Sequence, residues 1–235
     1  MNTASHLSTA TAQGSPRDGF LKNFLFGLPL MGWYALGLIS QAPQLAQECA
    51  SLLHGHSDPL VAIDILSRGA VLLFAAVLIG LVAFRKPATA GAPGFMPKLI
   101  AFLGAFLGVA IVALPRAKIG WQVEVVSTTL ILGGMGFAVY ALLWLGRSIS
   151  VLSEARNLVT GGPYGLVRHP LYLGEETALI GVAMQFWSPA AAAILLLQFG
   201  FQLMRMRNEE DVLRKAFADY ATYETRVRRI VPGLY

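Results

Sequence analysis

With 235 residues, 55% of them hydrophobic and only 13% charged, the chain is too apolar for an ordinary soluble domain. Its formal net charge of +5 lies in short Lys/Arg clusters beside apolar runs, so it reads as a membrane topology signal and argues against a nucleic-acid partner. The lone Cys49 excludes an internal disulfide and a thiol metal site.

Residues 1–20 are rich in Ser, Thr and Ala without an apolar core, and are expected to form a disordered cytosolic tail. The first apolar run, Phe24 to Ser40, carries no charge and has Pro29 to kink it. A polar connection over 41–59 follows; its His54 and His56 are too few ligands for a metal, and no metal is expected. The second span runs from Leu60 to Phe84, with Asp64 and Arg68 four apart and expected to pair. After the basic, Pro/Gly-rich "RKPATAGAPGFMPK", a third span covers Leu99 to Leu114, where Gly104 and Gly108 would let a neighbouring helix approach closely. The fourth span is Val125–Gly146, with "GGMG" as a second small-residue surface.

Thr177–Met204 is uncharged but interrupted by Ser188-Pro189, which predicts two helices in a tight hairpin. From Asn208 onward Val212, Leu213, Phe217, Tyr220 and Tyr223 recur at helical spacing, as on an amphipathic helix at the membrane surface. The expected fold is therefore all-α and polytopic, with about six membrane helices and a C-terminal cytosolic amphipathic helix. The expected organisation is a four-span region over 21–146 followed by a motif-bearing region over 147–235. With both termini in the cytosol, Arg17, Lys22, Arg85, Lys86, Lys98, Arg147, Arg156, Arg168 and the basic C-terminus fall on one side, leaving Arg116 and Lys118 on the other.

The run Asn157–Gly174, "NLVTGGPYGLVRHPLYLG", carries the chemistry. Gly161, Gly162 and Pro163 make a turn whose backbone can approach a ligand, and Pro170 starts a helix immediately after His169. Backbone N–H groups at that helix start, with Arg168 and His169, suit an anion. Tyr164 and Tyr172 offer faces for a base or a cation. An anion, a base and a cation together describe S-adenosylmethionine. Taken singly, Arg168 or His169 also suits an anchor at the headgroup level. A second constellation, "RMRNEEDVL" at 205–213, puts Arg205 and Glu209 on one helix face; alone it reads as a surface ion pair, but the hairpin returns it beside the first motif.

These two motifs, with the tail "FADYATYETRVRRIVPG", resemble the isoprenylcysteine carboxyl methyltransferases and the related phospholipid N-methyltransferases over residues 147–235. The resemblance implies an integral membrane enzyme that binds S-adenosylmethionine in a cytosolic pocket without a Rossmann domain, and the chain has no strand-GxGxxG-helix unit to do so differently. Carried over by position, the cofactor contacts would be Arg156, Asn157, Leu158, Val159, Tyr164, His169, Pro170, Leu171, Tyr172 and Glu209, and Arg205 would be the catalytic residue that orients the acceptor. The chain departs from the family at Glu175 and Glu176, where apolar residues are usual. Two carboxylates entering a span are costly unless paired, solvated or functional. The implied reaction transfers a methyl group to a carboxylate, or another nucleophile, of a lipid-like or prenylated amphiphile entering from the bilayer. An amine acceptor would want a base, for which Glu175, Glu176 or Glu210 are candidates.

Two other classes stay open at this level. Membrane sterol reductases also carry an Arg-His-Pro-x-Tyr-x-Gly run and an ending like "RRIVPGLY", which would make the cofactor NADPH. A small transporter or scaffold would instead spread polar residues through several spans.

Overall fold

The computed structural model describes residues 16–54, 59–150, 152–231 and 233; His56 and most of the expected N-terminal tail lie outside the described residues. The described residues form helices α1 (Pro16–Leu53), α2 (Pro59–Ala83), α3 (Met96–Phe106), α4 (Trp121–Leu145), α5 (Pro170–Gln185), α6 (Pro189–Ala216) and α7 (Tyr220–Arg226). The 3₁₀ turn Leu107–Ala113 extends α3, and two-residue strands β1 (Ala90–Gly91) and β2 (Glu154–Ala155) pair antiparallel. Five stretches are long and apolar enough to cross a bilayer: Phe24–Leu53, Asp64–Ala83, Met96–Ala113, Trp121–Ser148 and Pro189–Ala216. The chain is an all-α integral membrane protein. The sixth bundle helix, α5, has 16 residues. At 1.5 Å per residue it reaches about 24 Å, short of the roughly 30 Å hydrocarbon layer.

Helix α4 is central, lying along α5 on one side and α2 on the other. Small residues set the first contact. A Cβ on Gly134 would stand 2.5 Å from the Ala178 nitrogen, and one on Gly174 would stand 2.6 Å from the Gly134 carbonyl oxygen. Where apolar burial gives little drive because lipid is equally apolar, such close approach and buried hydrogen bonds supply the packing. Ser127 Oγ donates to the Gly181 carbonyl at 2.8 Å, and Ser67 Oγ to the Thr128 carbonyl at 3.1 Å. Phe74, Leu78 and Val82 of α2 meet Ile131, Met135 and Leu142 of α4 in the largest apolar cluster. Gly104 and Gly108 take the role their spacing predicts, the first against the Gln202 backbone of α6 and the second against Leu179 of α5.

Three expectations change. Residues 41–53 continue α1 instead of forming a loop, because their polar side chains find partners on α2. Arg68 donates to Gln44 at 3.0 Å and pairs with Glu48 at 3.3 Å, so its carboxylate comes from α1 and not from Asp64 one turn away. The hairpin turns where predicted, with Ser188 Oγ accepting from Ala191 N and Pro189 opening α6. Helix α5 also starts at Pro170 as predicted, yet α6 continues to Ala216 through the charged residues, and only the short α7 remains of the separate amphipathic helix.

Gly174→Val forces a side chain onto the backbone of α4 and should cost on the order of 1–3 kcal/mol. The expected result is a lower thermal midpoint in detergent, whereas Gly136→Val, with open space at its Cβ, should leave the midpoint unchanged.

Candidate functional site

The segment between α4 and α5 has little regular structure, and three separate pieces of chain hold it in shape. The α2–α3 connection straps its back. Lys86 N donates to the Arg147 carbonyl at 2.8 Å, Thr89 N to the Ala155 carbonyl at 2.8 Å, and Ala92 N to the Ser153 carbonyl at 3.0 Å. Ser153 is held at φ +54°, a conformation few non-glycine residues adopt, at the point where the segment turns into β2. Arg156 is buried, its guanidinium divided between the Lys86 carbonyl and Glu154. Trp144 of α4 is the second support. Its indole lies over Gly162, where φ of +59° and the absent Cβ are both required.

The C-terminal segment is the third support. Val167 and Arg228 form a parallel bridge, Arg168 N donates to the Arg228 carbonyl at 2.7 Å, and His169 N to the Arg229 carbonyl at 3.0 Å. Tyr223 Oη donates to the Tyr164 carbonyl at 2.6 Å. Glu210 of α6, with no exposed surface, gathers the charges of both segments. It accepts from Arg229 at 2.6 Å and from His169 Nε2 at 3.1 Å, and pairs with Arg168 Nε at 3.1 Å. A carboxylate committed to two arginines and a histidine is structural, so Glu210 drops out as a free base.

Tyr172, on the first turn of α5, joins the motif to α6. Its hydroxyl donates to Glu209 at 2.6 Å, the His169 ring stacks on it at 5.4 Å and 9°, and the Arg205 guanidinium stands 4.6 Å from its ring centre. Arg205 Nε donates in turn to Glu209 at 3.2 Å.

These contacts enclose a polar cleft. Of the ten sequence-predicted cofactor residues, nine line it: Arg156, Asn157, Leu158, Val159, Tyr164, His169, Leu171, Tyr172 and Glu209. Pro170 is buried behind the wall at the helix start, and Arg205 is not in the wall either. The sequence reading missed Ser148, Ser150 and Glu154 and assigned Tyr220 and Tyr223 only to an amphipathic face, although all five line the cleft. The tyrosine spacing in the tail was the available signal. Tyr164 and Tyr220 both end in buried hydroxyls with no protein partner. Burial pushes the Tyr164 hydroxyl far above the usual tyrosine range, with the Glu209 charge adding to it, so it remains a donor at any physiological pH.

A second cavity of about 630 Å³ opens among α1 to α6, lined mainly by apolar and aromatic side chains such as Trp33, Phe74, Ile131 and Leu179. Glu175 lines it. Tyr172 and Glu175 are three apart on α5, so the cleft and the cavity meet along one face of that helix.

Residues 123–220, from the start of α4 to the start of α7, match the phospholipid methyltransferase family. That stretch contains the segment, the hairpin and Glu209 together. Over that stretch the chain is similar to the phospholipid methyltransferases. Over 129 residues, 52% of the chain, it is 31% identical to protein-S-isoprenylcysteine O-methyltransferase B of Arabidopsis thaliana, covering 66% of that protein. Over 116 residues, 49% of the chain, it is 34% identical to the cobalt-zinc-cadmium resistance protein CzcN of Cupriavidus metallidurans, covering 53% of it. It is 30% identical to the nickel-cobalt-cadmium resistance protein NccN of Alcaligenes xylosoxydans xylosoxydans over 54% of the chain and 62% of the relative. The chain thus spans between half and two thirds of the length of these relatives.

The tail is clamped partly by Arg214, which donates to Glu224 at 2.7 Å, and these bonds hold the Glu224 carboxyl below its ordinary value of 4.5. A carboxylate with a depressed folded pKa contributes stability above its unfolded value and loses it as pH falls through the folded one. Protection against hydrogen exchange in 220–230, taken relative to the intrinsic rate at each pH, should therefore fall below about pH 4.5 in the wild type. In Glu224→Gln, exchange there should already be raised at neutral pH and should respond less to acid.

Proposed function

We propose that this protein is an integral membrane methyltransferase that uses S-adenosylmethionine to methylate a nucleophilic group on an amphiphile entering from the bilayer. One observation carries the reading: the segment 156–172, Glu209 from the returning helix and Tyr220 and Tyr223 from the tail converge on one polar cleft beside a large apolar cavity. A methyl donor and a lipid-soluble acceptor need such adjoining compartments. Lys and Arg clusters gather at the end of the bundle where the α2–α3 strap, the motif and the tail meet, which supports a cytosolic position for the cleft and for both termini.

The cleft suits the proposed cofactor in its donor set. Tyr164 and Tyr220 present hydroxyls without protein partners, Glu209 presents a carboxylate suited to ribose hydroxyls, and Tyr172 and His169 present stacked rings. Asn157, Leu158 and Val159 would flank the nucleoside portion. When bound, S-adenosylmethionine supplies a methyl group already activated by the sulfonium charge. The protein's task is then alignment and exclusion of water, which fixed rings and a strapped loop can provide. Arg205 serves as a positioning residue, since it touches Glu209 and the Tyr172 ring and holds both against α6.

Calorimetric titration of purified protein with S-adenosylhomocysteine and, separately, NADPH tests the reading. Binding of the first is expected; binding of NADPH alone would replace this proposal with the reductase. Tyr172→Ala and His169→Ala should weaken S-adenosylhomocysteine at least about tenfold, and Tyr164→Phe about three- to tenfold, the loss of one hydrogen bond. Arg205→Ala should raise KM for the methyl donor as well as lower kcat, with partial rescue by Arg205→Lys. An effect on kcat alone would instead put Arg205 against the acceptor.

A further inference from the structure

Along one face of α6, Gln198, Gln202, Arg205 and Glu209 recur at steps of four, three and four residues. They meet α5 in antiparallel register: Gln198 Nε2 donates to Glu176 at 2.8 Å, Gln202 Nε2 leans on Glu175 at 3.4 Å, and Arg205 and Glu209 take Tyr172. The polar face thus runs from the cleft to the apolar cavity inside the bilayer. Gln198 also donates from Nε2 to the Gly104 carbonyl at 2.8 Å, and a carbonyl can only accept, so the orientation of its amide is fixed. Its Oε1 is then left buried without a partner, and so is Oε1 of Gln202, which is 1% exposed.

The consequence is an excess of acceptors. Three carboxylates, Glu175, Glu176 and Glu209, share one guanidinium, Arg205, whose Nε is already given to Glu209. Among the described residues lining the cavity there is no Lys, Arg or His. A phosphate or carboxylate brought beside Glu175 would meet like charge and no countercharge in the wall, at a cost that burial magnifies. A primary ammonium brings three donors and the missing positive charge. It would find the Glu175 carboxylate and the orphaned Gln198 oxygen in the wall, with the aromatic faces of Trp33 and Tyr34 beside it. The volume, about 630 Å³, is in the range that takes a small ligand whole.

We propose that the apolar cavity binds an amphiphile with an amine head, an apolar tail and no phosphate or carboxylate, and that Glu175 is the residue that selects the head. Calling this occupant the methyl acceptor rests on the methyltransferase reading; its binding does not. The head would lie one turn of α5 from Tyr172, at the boundary between the two compartments.

Equilibrium binding to the full chain in phosphatidylcholine nanodiscs tests this, with dodecylamine, dodecanoate, dodecyl phosphate and dodecanol as probes and empty nanodiscs subtracted. Dodecylamine should show a saturable component at least tenfold tighter than dodecanoate and dodecyl phosphate. Glu175→Gln should reduce that preference at least fivefold, with an unchanged thermal midpoint reporting an intact fold. Equal affinity for amine and carboxylate, or full amine preference in Glu175→Gln, overturns the proposal and leaves the polar face as a helix-joining element. S-adenosylhomocysteine binding, measured on the same samples, reports separately on the methyltransferase reading.

Discussion

The site depends on one buried anion. Glu210 has no contact with solvent and binds the side chains of Arg168, His169 and Arg229, two from the motif and one from the tail. Removing a charge from water costs several kcal/mol, and the arrangement is tolerable only because two guanidinium groups and an imidazole converge on it. Taking away any one of them leaves the others less well balanced. The loop, the tail and α6 are therefore a coupled unit, although each looks locally weak: a 3₁₀ turn, an irregular strand and the frayed end of a long helix.

Around that anchor, the order of polar residues on α5 and α6 divides the interior. Toward the membrane edge stand Tyr172, His169 and Glu209, which face the cleft; about one turn farther along α5 stand Glu175, which meets Gln202, and Glu176, which meets Gln198. Helix α5 contributes to both compartments because Tyr172 lines the cleft and Glu175, three residues on, lines the cavity. The glycines that bring α4 against α5 keep this double role rigid, since neither helix can slide without backbone collision.

Much of this was legible in the sequence. Uninterrupted apolar runs and a proline after a serine mark spans and a hairpin by the bilayer's own length requirement. Most of the cleft was readable because nearly all of its predicted members are close in sequence, from Arg156 to Tyr172, while Glu209, Tyr220 and Tyr223 arrive from elsewhere. What escaped depends on partners distant in the chain. A two-residue strand such as Ala90–Gly91 has no periodicity to detect, and Arg68 could have paired with either Asp64 or Glu48 until α1 was seen to run on. The commitment of Glu210 to Arg168, His169 and Arg229 was equally hidden, since nothing in "RNEED" distinguishes one glutamate from its neighbour.

The α2–α3 strap bears on how the molecule divides. The family match begins at residue 123, and the chemistry-bearing motifs all follow it, so the polypeptide looks separable into a variable front and an autonomous rear. Yet backbone donors from Lys86, Thr89 and Ala92 complete the rear wall of the cleft. The front half is a cofolding partner, and any exchange of that half between relatives has to carry a matching strap with it.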